Sequence, residues 1–152
     1  MIRVADIIVY DQTKNIQLIV EVKNKLGASA EWAAQMRRNL LTHALVPNAP
    51  YFLLALPDIS YLWVDSHTQS GEVLPNYEFN TKEALFSDVN EANLSLDNLN
   101  EYSLELLIVS WLQEVINSGL PEQKNGSSLQ WLFDSGLYEA IKGGALATEA
   151  MA

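Results

Sequence analysis

Residues 51–56 read Tyr51-Phe52-Leu53-Leu54-Ala55-Leu56, six apolar side chains in unbroken succession. Neighbouring residues of a strand face opposite sides of a sheet, so a strand of this kind has to be covered on both. It predicts an interior strand. Ahead of it, Gly27 breaks the chain and Ser29 is placed to cap a helix from Ala30 to about Ala44. Ala33, Met36, Leu40 and Ala44 give that helix an apolar side, with Trp32 nearby, and Gln35, Asn39 and Thr42 give it a polar stripe. Pro47 and Pro50 end it. A helix inserted between two strands predicts that they run parallel.

The earlier strands are legible from side-chain type. Ile2 to Tyr10 is rich in β-branched residues, Asp11 to Asn15 is a polar turn, and Ile16 to about Lys23 is a second strand, so the pair reads as a hairpin. Ile16, Leu18, Val20 and Val22 share one face of the second strand, and Gln17, Ile19, Glu21 and Lys23 share the other. Pairing around the turn brings Asp6 close to Glu21. After the Pro57-Asp58 turn, Ser60 to Val64 reads as a further strand.

From Asp65 to Asn80 the chain turns polar, with Gly71 and Pro75, which marks a boundary. Beyond it the pattern is helical. Asn80 caps a short helix with Glu83 three residues on, and Leu99 to Asn117 forms a long amphipathic helix ended by Gly119 and Pro121. Ser127 or Ser128 caps a last helix holding Trp131, Leu132 and Phe133, which stops near Gly136. Gly143 to Ala152 reads as a frayed tail. Leu104, Leu107, Ile108, Trp111, Leu112 and Val115 form an apolar stripe at helical spacing. That stripe predicts a homodimer or protein-partner surface on the C-terminal helices, with plain intrachain core as the alternative.

Composition narrows the function classes. The 152 residues include no cysteine and two histidines, which excludes disulfides, thiolate metal sites and multi-histidine metal sites. No apolar run approaches the length of a membrane span, and Asp6 interrupts the N-terminal apolar stretch, so neither a bilayer span nor a signal peptide is expected. The expected location is the cytoplasm. Net charge is −10, but residues 1–50 carry a balance of +2 and residues 51–152 one of −12. Nucleic acid, if bound, is expected at the N-terminal third.

Two adjacent carboxylates are costly unless a cation binds or one is protonated, and oxygen ligands suit Mg²⁺ or Mn²⁺. Lys23 points the same way as Glu21. Ala5-Asp6 and Glu21-Val22-Lys23, with the helix and buried strand after them, resemble the PD-(D/E)xK nuclease superfamily, the restriction-endonuclease-like fold. The similarity covers roughly residues 1–64 and is nearest to the subset related to the N-terminal nuclease domains of type I restriction subunits. There a helix Gln follows the lysine, a place that Gln35 occupies.

The resemblance implies an α/β fold. A small mixed β-sheet with flanking helices spans residues 1–68, and an acidic, mainly helical extension over residues 69–152 packs on it. It also implies a Mg²⁺-dependent or Mn²⁺-dependent endonuclease, a hydrolase of phosphodiesters, with DNA as the expected substrate. Asp6, Glu21 and the Val22 carbonyl would hold the metal, Lys23 would orient the attacking water, and Gln35 would steady the lysine or the substrate backbone. The sequence departs from the family in three places. Ala5 replaces the motif proline, and Asn39 stands where a tyrosine often does. Only five residues precede Asp6, where the family core has a helix and a strand, so the expectation is a truncated N-terminus or an incomplete core. The alternative function is a non-enzymatic interaction module on the same scaffold, since Glu-x-Lys on a strand also arises where charges solvate an exposed face.

Overall fold

The computed structural model describes residues 5–43, 46–86, 100–118 and 129–148. Strands β1 (Ile7–Tyr10) and β2 (Ile16–Val22) form an antiparallel hairpin in which Ile7 pairs with Val20 and Val9 with Leu18. Its turn is organised by Asp11. That carboxylate accepts hydrogen bonds from the Thr13 N–H (2.8 Å), the Thr13 hydroxyl (2.7 Å), the Asn15 N–H (3.0 Å) and the Gln17 amide (3.0 Å).

The Thr13 hydroxyl bond is the largest of the influences that hold the Asp11 carboxyl below its ordinary pKa. A group depressed in the folded state contributes stability above its unfolded pKa and loses it as pH falls through the folded value. Asp11→Ala is therefore expected to lower the melting temperature at neutral pH, with the gap to wild type closing in acid. An equal gap at both pH values, followed by circular dichroism, contradicts this role.

Helix α1 (Ala30–His43) begins where Ser29 predicts, with the Ser29 hydroxyl accepting from the Trp32 N–H at 3.1 Å. Strand β3 (Tyr51–Ala55) then pairs parallel to β2, Val20 opposite Leu53 and Val22 opposite Ala55, as the intervening helix requires. Strand β4 (Ile59–Val64) returns antiparallel beside β3, and β5 (Tyr77–Asn80) pairs antiparallel with β4. Helix α2 (Thr81–Phe86) starts on the expected cap, the Asn80 side chain accepting from the Glu83 N–H at 2.9 Å. Helix α3 (Glu101–Ser118) is capped by Asn100, which accepts from the Ser103 N–H at 2.8 Å. Short helices α4 (Gln130–Asp134) and α5 (Leu137–Ile141) meet at Gly136, whose φ of 83° turns the chain between them. Strand β6 (Ala145–Thr148) pairs antiparallel with β1, completing a six-stranded mixed sheet in the order β5-β4-β3-β2-β1-β6.

Both sheet faces are covered. Ile7, Val9, Leu18, Val20, Val22, Leu53 and Leu62 pack under α3, α4 and α5. Ile8, Ile19, Phe52, Leu54, Tyr61 and Trp63 pack with Ala33 and Leu40 of α1. Three expectations need correction. Leu104, Ile108, Trp111, Leu112 and Val115 are buried within the chain and Leu107 is half-buried, so the stripe expected to meet a homodimer or protein partner is intrachain core. The reason is the width of the sheet: β5 and β6 extend both edges beyond residues 1–64. Residues 145–148 form an ordered strand where a frayed tail was expected. The helix holding Trp131 stops just before Gly136 as expected, but it is not the last, because the glycine reverses the chain into α5.

The Ser127 or Ser128 cap, the Gly119–Pro121 stop, Ala44 and the beginning of the first strand lie outside the described residues. No described helix is long and apolar enough to cross a membrane.

Candidate carboxylate site

The hairpin register continued one step beyond Ile7 and Val20 sets Asp6 opposite Glu21. Asp6 lies in a bend just ahead of β1. Its side chain reaches β2, where one carboxylate oxygen accepts from the Val22 N–H at 2.7 Å. In return, the Asp6 N–H donates to Glu21 Oε2 at 3.2 Å. The carboxylates thus take the place of ladder carbonyls at the open end of the hairpin, and both sit on atoms of residues 6, 21 and 22.

Glu21 shares the face of Ile19 and is 0% exposed, and Asp6 is 6% exposed. That bears on the alternative reading of Glu-x-Lys as charges on an exposed face. On that face of β2 Glu21 is buried and Lys23 half-buried, while Ile19 packs with Ala33 and Leu40 of α1. Burial also raises the electrostatic stakes, since a buried carboxylate needs hydrogen-bond donors or a cation. The Val22 and Asp6 N–H groups each supply one donor.

Lys23 follows β2, half-buried, with its N–H donating to the Ala55 carbonyl at 3.1 Å. Among the described residues its ammonium forms no ion pair with Asp6 or Glu21. The next residue contacts a part of the chain that sequence reasoning missed: the Asn24 N–H donates to Glu101 Oε1 at 3.0 Å, docking the start of α3 beside the lysine. Nothing in the sequence spacing signals a contact across so many residues. Gln35 lies on the exposed side of α1, together with Asn39 and Thr42, and makes no hydrogen bond to Asp6, Glu21 or Lys23.

The described basic residues of the N-terminal third are dispersed. Lys25 lies near the site, its ammonium 5.2 Å from the Trp32 ring centre. Lys14 is at the far end of the hairpin. Arg38 pairs with Glu72 at 2.6 Å. Arg37 is fully buried in the second half of α1, donating to the Ser66 hydroxyl and carbonyl and to the Gln69 carbonyl, and burial pushes its pKa down. It pins the turn after β4 and offers no charge to a polyanion. His43 and His67 are exposed, while Trp63, Trp111 and Trp131 are core.

The donor set suits a hard divalent cation in kind: two carboxylates meet the number that Mg²⁺ commonly takes from protein, with water supplying the rest. Among the described residues no group of three or more acidic or histidine side chains converges in a way that could hold a metal. No family model, curated protein or solved structure matches the chain.

Proposed function

We propose that the chain is a restriction-endonuclease-like, metal-dependent nuclease domain acting on DNA. The observation that supports this reading is the meeting of Asp6 and Glu21 at the end of β2, beside Lys23. Mg²⁺ or Mn²⁺ held by Asp6, Glu21 and the Val22 carbonyl would supply a Lewis acid for phosphodiester hydrolysis. Lys23 orients the attacking water, and Gln35 steadies the substrate backbone from α1. Glu101 fixes the loop that carries the lysine.

A second reading has its own observation. Glu21 is fully buried and both carboxylates already accept backbone hydrogen bonds, which suits a structural lock in a non-enzymatic interaction module.

Cleavage of a mixed-sequence DNA, double-stranded and single-stranded, with Mg²⁺ and with chelator, separates the two. The nuclease reading expects metal-dependent nicking that falls at least about tenfold in Lys23→Ala. Metal binding by that variant should survive or tighten, because a nearby positive charge is gone. Cleavage that is absent, or equal in wild type and Lys23→Ala, favours the module.

A further inference from the structure

The loop from Lys23 to Ser29, between β2 and α1, is fixed through its backbone. Glu101 holds the Asn24 N–H, Asp58 Oδ2 accepts from the Gly27 N–H at 3.0 Å, and the Tyr61 hydroxyl donates to the Ala28 carbonyl at 2.7 Å. Both carboxylates are thereby turned onto backbone donors. Lys23 is half-buried and Lys25 exposed, and neither forms an ion pair among the described residues. Apolar surface lies beside these cations. Leu26 is 51% exposed, and Trp32, in the first turn of α1, is half-buried with the Lys25 ammonium 5.2 Å from its ring centre. Trp63, Trp111 and Trp131 are buried, so of the four tryptophans Trp32 is the one whose ring a ligand can reach.

We propose that Lys25 and Trp32 form a nucleotide subsite that makes single-stranded DNA the substrate of the adjoining carboxylates. A base stacks on the Trp32 ring, and the Lys25 ammonium leaves the ring for a phosphate beside that base. The substrate class rests on the nuclease reading. Lys25 is two residues beyond Lys23, so their Cα atoms lie within about 7 Å and one strand can meet both side chains.

Charge selects a single strand over a duplex. Arg37 is held by Ser66 and Gln69, Arg38 by Glu72, and Lys14 stands at the far end of the hairpin. Among the described residues the site therefore offers Lys23 and Lys25 as its cations, on a chain of net charge −10. Duplex DNA carries one negative charge per roughly 1.7 Å of axis, and its binding draws on many neutralised phosphates. A single strand is bound differently, by base stacking on an aromatic face with few charges to help. A base inside a duplex is already stacked and reaches Trp32 only when it is flipped out, at a further cost.

Fluorescence anisotropy of a labelled oligothymidylate of about 12 nucleotides tests this, in chelator so that nothing is cut. The strand is expected to bind at least about tenfold more tightly than a duplex of equal length. Trp32→Ala should weaken strand binding about tenfold, and Trp32→Phe, which keeps a ring to stack on, should stay within about threefold of wild type. Lys25→Ala should lower the slope of log affinity against log salt by about 0.7, the value of one phosphate contact on a single strand. The strand should also quench tryptophan emission in wild type and leave it unchanged in Trp32→Phe, a readout that does not depend on how well Trp32→Ala folds. No binding below about 1 mM, a duplex bound as tightly as the strand, or equal quenching in Trp32→Phe overturns the proposal. Strand capture without cleavage on adding Mg²⁺ supports the subsite and overturns the nuclease reading. Mg²⁺-dependent cleavage of strand and duplex at equal rates does the reverse.

Discussion

Trp131→Ala is expected to destabilise the fold by about 3–5 kcal/mol, the cost of deleting a large buried aromatic side chain. The ring joins three elements. It stacks on Phe79 of β5 with centroids 4.1 Å apart and an interplanar angle of 15°, and lies 6.0 Å from Trp111 of α3. Removing it opens a void between the sheet and the helical layer and forfeits two aromatic contacts. Trp131→Phe is the informative companion. Among the described residues the buried Trp131 Nε1 has no hydrogen-bond partner, so phenylalanine removes an unsatisfied donor while keeping a ring in place. It should cost no more than about 1.5 kcal/mol. Urea unfolding of both variants measures the difference. If Trp131→Ala costs less than about 1 kcal/mol, α4 does not belong to the shared core.

The same contact explains how much of the architecture was legible. The hairpin and the parallel β2–β3 pair could be read because side-chain alternation, a polar turn and an intervening helix leave few arrangements open. The edge strands were not readable on those terms. Tyr77–Asn80 lies in a polar stretch after Pro75, and Ala145–Thr148 is too short and small-sided to signal a strand until β1 lies beside it. Without those edges the sheet looked too narrow to cover α3, and the Leu104–Val115 stripe looked available. An amphipathic face specifies that it will be covered, not by what.

The carboxylate pair shows the same division. The turn brings the two strands together, so the closeness of Asp6 to Glu21 could be anticipated. It sets Tyr10 against Ile16, however, and an irregularity between Val9 and Tyr10 is needed to shift the register until Asp6 falls opposite Glu21. The burial of Glu21 could not be anticipated, because Glu-x-Lys reads alike on an open strand and on a covered one. Nor did the basic balance of residues 1–50 reveal that Arg37 is consumed by Ser66 and Gln69 and Arg38 by Glu72. Those partners lie well along the chain, and only the packing of α1 against the end of β4 brings them into reach.

The central claim is that Asp6 and Glu21 hold a divalent cation, and thermal unfolding in Mg²⁺ tests it most directly. Two buried carboxylates that meet at the end of one strand repel, and a bound cation relieves that repulsion while favouring the folded state by mass action. Mg²⁺ at about 100 times its dissociation constant adds about 2.7 kcal/mol, a rise of about 5–10 °C for a chain of this length. In Asp6→Asn/Glu21→Gln the amide oxygens can still accept from the Val22 and Asp6 N–H groups, so the variant keeps these backbone contacts while losing both charges. The account predicts a rise with Mg²⁺ in wild type that is lost in the double variant. An equal response in the two proteins means that these carboxylates hold no metal.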